Sequence, residues 1–67
     1  MEIFSERLKA LRLEHNLTLS DLAKALNASV ISVSRWENKQ RTPNIETLKD
    51  IALYFSVSSN YLIGIES

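Results

Sequence analysis

The fold of this chain is decided by residues 17–37, LTLSDLAKALNASVISVSRWE. The stretch predicts two short helices separated by a sharp turn. Thr18 is a good N-cap residue, and Asp21 three positions later completes a weak form of the capping box. Asn27 tolerates the left-handed backbone conformation that ends a helix abruptly. Ser29 then supplies a second N-cap, so another helix begins directly after the turn.

The second of these helices, over about residues 30–37, sorts into two faces when its residues are placed roughly 100° apart. Val33 and Trp36 lie on one side and form an apolar face. The opposite side carries Ile31, Ser34, Arg35 and Asn38, with Val30 at its edge. Ser, Arg and Asn side chains can hydrogen-bond base edges or phosphates. A helix, a short turn and a helix with such an outward face are typical of a DNA-reading unit.

Ile31 stands among polar side chains on this outward face, and two interpretations of it remain open. An apolar contact with the methyl group of thymine would explain an aliphatic residue there. Equally, a single exposed Ile is ordinary, because every folded surface carries apolar atoms.

Composition places the chain among small helical domains. At 67 residues it is near the lower size limit for folding without a staple, and it has no Cys to form one. Its hydrophobic content of 45%, with one Gly and one Pro, favours an all-α fold. We find no apolar run of roughly 18 residues and no signal-peptide pattern, so we expect a cytoplasmic protein without a membrane partner.

The same composition argues against catalysis. His15 is the only His, and near a helix end it is most simply a surface residue. The chain lacks a nucleophile–base pair, a metal-ligand set and a phosphate-cradling glycine loop. We therefore expect no enzyme, no catalytic residue, no metal, no cofactor and no small-molecule substrate.

Charge is distributed unevenly along the chain although the formal net charge is zero. Residues 18–42 carry four basic and two acidic side chains, a net charge of +2, and the flanks together carry −2. A small basic patch of this kind predicts weak nonspecific binding to nucleic acid, with most of the affinity coming from specific contacts.

The flanking segments predict three more helices, which gives a compact five-helix bundle. A first helix over about residues 3–15 has a buried stripe, and a fourth over about 45–55 has another. The stripe residues are Phe4, Leu8 and Leu11, then Leu48, Ile51, Ala52 and Phe55. Asn44 and Ser58 are the N-caps of the fourth and last helices. Leu53 and Tyr54 lie off the stripe, and the apolar tail 61–65 either closes the core or forms a self-association patch.

The polar loop 38–43, NKQRTP, also has two interpretations. Such composition usually means a solvated connector. Alternatively, Lys39 and Arg41, with the main-chain amides of Gln40 and Thr42, form a clamp on a DNA phosphate. Taken alone the loop favours the connector, but its place directly after a candidate recognition helix favours the clamp.

In order and spacing, these segments resemble the helix-turn-helix domain of phage repressors and Cro proteins, the XRE-like regulators. The resemblance covers nearly the whole chain, from Arg7 to Leu62. The matching pieces are RLKALR, LTLSDLAKAL, VISVSRWEN, the loop end RTP, ETLKDIALYF and SVSSNYL. It implies a lambda-repressor-like bundle in which helices 2 and 3 form the helix-turn-helix. Residues 1–67 would be one DNA-binding domain, either alone or at the start of a longer repressor.

The resemblance also implies roles for individual residues. Base readout in the major groove falls to Val30, Ile31, Ser34 and Arg35. Contacts with the phosphate backbone fall to Thr18, Ser20, Ser29, Asn38, Lys39, Gln40 and Arg41. Arg12 and Glu37 correspond to a structural ion pair that locks the recognition helix to the scaffold, so we expect them to serve the fold and not to contact DNA.

The chain departs from the family pattern at several positions. Leu19 stands where the family often has a Gln that touches DNA, and we expect it to pack instead. Gly is frequent in the family at four positions that are here Asn16, Asn27, Lys39 and Ser56. Asn adopts positive φ readily, but Lys and Ser do so less. We therefore expect the turn after Glu37 to be arranged differently from the family pattern.

The leading hypothesis is a sequence-specific binder of double-stranded DNA, a transcriptional regulator and most simply a repressor. It would act as a homodimer through the C-terminal helix region on a pseudo-palindromic operator. The alternative is a protein-interaction module, antitoxin-like or regulatory, that uses Leu53, Tyr54 and the apolar tail.

Overall fold

The computed structural model describes residues 2–65, which fold into five α-helices without a β-strand. They are α1 (Glu2–Glu14), α2 (Leu19–Leu26), α3 (Val30–Glu37), α4 (Ile45–Phe55) and α5 (Ser59–Ile63). The all-α, five-helix prediction is confirmed. Of the three helices whose bounds were predicted, only α1 is displaced, beginning and ending one residue earlier than expected. None of the five helices over residues 2–65 is long and apolar enough to cross a membrane.

Local side-chain chemistry starts four of the helices. At α2 the capping box is complete: the Asp21 amide donates to Thr18 Oγ1 at 3.0 Å, and the Thr18 amide donates to Asp21 Oδ2 at 2.9 Å. The backbone amide of Thr18, and then its side chain, hydrogen-bond the Asp21 carboxylate and lower the pKa of Asp21. This half of the capping box is therefore intact at neutral pH and is lost as the pH falls through the depressed pKa. Ser29, Asn44 and Ser58 cap α3, α4 and α5 as predicted.

Among residues 2–65, four non-glycine residues adopt the left-handed backbone conformation, and two of them correct our expectation. Asn16 and Asn27 have φ of 55° and 54°, as their residue type predicts. Lys39 and Ser56 have φ of 65° and 56°, so the turn after Glu37 keeps a left-handed residue without glycine. Packing of the flanking helices outweighs the steric cost of about 1–2 kcal/mol that a side chain imposes in this conformation.

One apolar core joins all five helices. α1 packs on α3 and α5, and α2 packs on α3 and α4, so α3 is held from two sides. The buried residues are Phe4, Leu8, Leu11, Leu22, Ala23, Val33, Trp36, Ile51, Ala52, Phe55 and Leu62. Leu19 packs against this core as expected.

The C-terminal tail is divided between the core and the surface. Leu62 is fully buried and closes the core, whereas Ile65 is 69% exposed. Arg7 fastens α5 to α1, because its guanidinium donates to the Tyr61 carbonyl and lies 4.2 Å from the centroid of the Tyr61 ring. Gly64 ends α5 with φ of 85°, where an added Cβ would meet Ile3 at 3.0 Å.

Candidate nucleic-acid interface

The N-terminal turn of α3 projects aliphatic side chains into solvent. Val30 is 44% exposed and Ile31 is 64% exposed, directly after the Ser29 cap. Val33 and Trp36, three positions apart on the opposite face, are buried in the core. The two-face pattern read from the sequence is therefore the arrangement in the structure.

The hydroxyl groups beside this turn are engaged within the helix. Ser29 Oγ accepts from the Ser32 amide at 3.0 Å and donates to Ser32 Oγ at 2.9 Å. Further along, Asn38 Nδ2 donates to Ser34 Oγ at 3.2 Å, so the Asn38 side chain folds back on α3. Because these groups satisfy one another, Val30 and Ile31 dominate the chemistry of the first exposed turn.

The C-terminal end of α3 is anchored by the ion pair that the family resemblance implies. Arg12 Nε donates to Glu37 Oε2 at 2.7 Å, and Arg12 Nη2 donates to Glu37 Oε1 at 3.0 Å. The two side chains are only 12% and 6% exposed. Arg12 Nη1 also donates to the Leu17 carbonyl at 2.9 Å, so one guanidinium joins α1, the entry to α2 and α3. The hydrogen bond with Glu37 raises the pKa of Arg12.

The loop after α3 is only partly arranged as the clamp hypothesis requires. Lys39 and Arg41 are both exposed, but Lys39 Nζ lies 3.9 Å from Glu6 Oε2 on α1. The Gln40 amide, which we expected to face a phosphate, donates instead to the Arg35 carbonyl at 2.9 Å. It is used to close the helix end, because the last carbonyls of a helix need donors from outside it.

A polar groove of about 390 Å³ links the recognition helix to the start of α4. Arg35 and Arg41 both line it, so the structure brings together a predicted base reader and a predicted phosphate contact. The remaining lining residues are Ser32, Trp36, Thr42, Pro43, Asn44 and Thr47. The partial positive charge at the N-terminus of α4 adds to that of the two guanidinium groups. An anionic ligand is the chemistry that this groove suits.

Two hydroxyl-bearing lining residues of the groove, Ser32 and Thr47, were not among the predicted contacts. Spacing could have suggested both: Ser32 lies one turn before Arg35, and Thr47 lies in the first turn after the Asn44 cap. The other predicted phosphate contacts, Thr18 and Ser20, are exposed at the start of α2. Among residues 2–65 there is no group of three or more His, Asp or Glu side chains that could hold a metal ion.

Comparison with known proteins gives a consistent picture. A helix-turn-helix family model matches residues 8–62. The chain is 41% identical over 61 residues to the transcriptional activator BcrR of Enterococcus faecalis, a match that covers 91% of this chain and 30% of BcrR. It is 43% identical over 53 residues to the transcriptional repressor RghR of Bacillus subtilis, covering 78% of this chain and 39% of RghR.

The fold is also similar to a solved repressor–DNA complex. The P22 c2 repressor, crystallised with a synthetic operator, matches with a TM-score of 0.85 and 27% sequence identity over 92% of this chain and 94% of that one. The chain spans only 30% to 56% of the length of the curated relatives it matches. From its family match, its relatives and its architecture, the chain belongs to the XRE-type helix-turn-helix family of DNA-binding transcription regulators, with α2 and α3 as the helix-turn-helix.

Proposed function

We propose that this chain binds double-stranded DNA sequence-specifically by placing α3 in the major groove, and that it regulates transcription. The observation that carries the proposal is the asymmetry of α3. Its first turn is exposed and unobstructed, while its last turn is anchored by Arg12 and Glu37 on the scaffold. A rigidly held helix with a free leading end is what major-groove readout requires.

Base readout in this proposal comes from Val30, Ile31, Ser34 and Arg35. The aliphatic pair contacts methyl groups of thymine, and Arg35 forms a bidentate contact with guanine O6 and N7. Backbone phosphates are bound by Thr18, Ser20, Ser29, Asn38, Lys39, Gln40 and Arg41, with Gln40 using its side chain because its main-chain amide closes the end of α3. Of these, Arg41 has the strongest support, because it shares a cationic groove with Arg35 and the start of α4.

The functional unit that we propose is a homodimer acting as a repressor in the cytoplasm, without a catalytic role. Two-fold symmetry then requires a pseudo-palindromic operator with half-sites about 34–36 Å apart. The exposed Ile65, beside the C-terminal end of α5, supports the C-terminal region as the dimer contact. Similar proteins are named as an activator and as a repressor, so a reporter assay is needed to establish the sign of regulation.

Selection of bound duplexes from a randomised DNA pool, at near-physiological salt, tests the proposal. A two-fold symmetric motif is the expected result. Enrichment of one asymmetric half-site would overturn the dimer and leave DNA reading intact. Absence of any enrichment, with circular dichroism confirming that the protein is helical, would overturn the DNA-binding proposal itself.

A second candidate function is binding of a protein partner on α4. Leu53 is 77% exposed and Tyr54 is 45% exposed, as the sequence predicts. Together with Ala25, Leu26 and residues 27 and 50 they line a groove of about 440 Å³ between α2 and α4. Exposed apolar side chains in a concave surface favour an interaction site.

Salt dependence separates the two candidate functions. Binding of duplex DNA should weaken steeply between about 50 and 200 mM salt, because counterions are released from the phosphates. Binding of a partner through Leu53 and Tyr54 should change little over that range. Leu53→Ser should abolish binding of the protein partner. It should leave DNA binding unchanged, because Leu53 lies outside the proposed DNA contacts.

A further inference from the structure

Helix α1 holds the last turn of α3 and the residues just after it at three points. The Ser5 hydroxyl donates to the Trp36 carbonyl at 2.5 Å. Arg12 pairs with the Glu37 carboxylate, and Glu6 lies 3.9 Å from the Lys39 ammonium. The ion pair is the family's known anchor and the Glu6 contact is exposed, but the Ser5 bond is neutral, buried and absent from every expectation above.

The Ser5 bond differs from the other bonds at this helix end. The carbonyls of Ser34 and Arg35 accept from amides of the chain that directly follows, at 3.0 Å from Asn38 and 2.9 Å from Gln40. Those bonds would move with the helix if it shifted. The Trp36 carbonyl accepts from a residue 31 positions away on another helix, and Ser5 is only 2% exposed. This bond therefore joins the backbone of α3 to a buried side chain of α1.

Such a bond has leverage over the exposed end of the helix. Ile31 lies five positions before Trp36, which at a rise of about 1.5 Å per residue places the reading turn roughly 7–8 Å from the anchor. A tilt of about 10° at the anchor would displace the reading turn by roughly 1.3 Å. Binding sites need their contacting groups held within about 0.5 Å, so a tilt of this size would spoil base readout.

We propose that Ser5 is a positioning residue for DNA readout: its buried hydroxyl fixes the pose of α3 against α1 and thereby aims Val30 and Ile31. This inference rests on the proposed function, since it concerns how the same helix addresses bases. Ser5 itself contacts no DNA in this proposal, because it lies in the core behind the recognition helix. Phosphate contacts made by Arg41 and its neighbours do not depend on it.

The test compares Ser5→Ala with Ile51→Val, in the protein with its selected operator. Both changes remove a small buried group, but Ile51 lies in α4 and its aliphatic side chain forms no hydrogen bond. For each variant we would measure Kd for the operator and for an unrelated duplex, at a temperature where circular dichroism confirms full folding. The readout is the specificity ratio, the Kd for the unrelated duplex divided by the Kd for the operator. A loss of stability alone does not change this ratio in a fully folded protein.

We expect Ser5→Ala to reduce this ratio about tenfold, by weakening operator binding and leaving nonspecific binding unchanged within about twofold. Ile51→Val should keep the wild-type ratio. A folded Ser5→Ala with the wild-type ratio would overturn the inference, and so would an equal loss in Ile51→Val.

If Ser5→Ala does not fold, the same measurement is made on Ser5→Cys, which is similar in volume but is a weak hydrogen-bond donor. The ratio of Kd values for Ser5→Cys should fall at least about threefold, and a wild-type ratio for this variant would also overturn the inference. A wild-type protein that fails to discriminate duplexes would instead overturn the proposed function.

Discussion

The two ends of α3 are built for different tasks. At the C-terminal end the Glu37 side chain is 6% exposed and ion-paired, and Trp36 is buried beside it. At the N-terminal end, less than two turns away, Ile31 is 64% exposed. In this eight-residue helix the buried and exposed residues therefore differ between its two ends as well as between its two faces.

This difference means that stability and recognition can be separated by position within one short helix. Substitutions at the anchored end should change the free energy of unfolding, and substitutions at the exposed end should change DNA affinity without changing stability. The polar groove holding Arg35 and Arg41 lies between the two, on the side of α3 that faces the start of α4.

The largest effect is expected at the anchor. Arg12→Ala should lower the free energy of unfolding by about 3–5 kcal/mol, because it leaves the Glu37 carboxylate buried without a partner. Urea unfolding followed by circular dichroism measures this loss. Replacing both partners, Arg12→Met with Glu37→Leu, is the matched control and should recover most of the stability. A loss below about 1 kcal/mol in the single variant would mean that the pair behaves as an exposed one.

Arg35→Ala should have the next largest effect, and on binding alone. We expect a loss of about 1–3 kcal/mol in operator affinity with relaxed specificity at one base pair, since a bidentate contact with guanine is removed. Arg41→Ala is the matched control from the same groove. It should weaken all duplexes alike and reduce the slope of log K against log salt by about one. If Arg35→Ala also weakened every duplex equally, Arg35 would be a phosphate contact.

Most of the fold could be predicted from the sequence because the helix ends are specified by local chemistry. Thr18, Ser29, Asn44 and Ser58 each bond an amide three residues ahead, and such bonds depend on nothing distant. The apolar stripes then determined which faces meet. Of the candidate interface, the outward face of α3 was predictable in the same way, since it follows from helical periodicity.

Apart from the Arg12–Glu37 pair, which the family resemblance implied, the sequence could not supply polar contacts between residues far apart in the chain. The bond from Ser5 to Trp36 and the approach of Glu6 to Lys39 depend on how α1 crosses the end of α3. No periodicity encodes that crossing. The use of the Gln40 amide was missed for a local reason: Lys39 adopts a positive φ that was not expected of Lys, and a left-handed residue at a helix end brings the following amide to a helix carbonyl.

Ile31→Ala tests the exposed end, with a smaller effect. We expect operator binding to weaken by about 1 kcal/mol, because apolar contact with thymine methyl groups is lost. The free energy of unfolding should stay within about 0.5 kcal/mol of the wild-type value. Replacing operator thymines one at a time with deoxyuridine removes those methyl groups. At the contacted position the replacement should weaken binding of the wild-type protein. It should not weaken binding of Ile31→Ala any further, because that variant already lacks the contact. Equal sensitivity of both proteins at every position would favour the interpretation of Ile31 as an ordinary exposed residue.

The smallest effects concern two left-handed residues that follow helices in the same way, Lys39 after α3 and Ser56 after α4. Ser56→Gly should raise the free energy of unfolding by about 0.5–1 kcal/mol, because glycine adopts positive φ without steric cost. Lys39→Gly relieves the same strain but loses the exposed pair with Glu6, a contribution of about 0–1 kcal/mol, so its net gain should be smaller.

Salt titration of DNA binding then separates the two glycine variants. Ser56→Gly should keep the wild-type slope, because Ser56 carries no charge and lies outside the proposed interface. Lys39→Gly should flatten the slope by about one if its ammonium leaves Glu6 for a phosphate in the complex. An unchanged slope would mean that Lys39 binds no phosphate and keeps its contact with Glu6 on α1. The anchored part of the molecule would then extend past the end of α3 into the turn, and the loop's contribution to binding would come from Arg41.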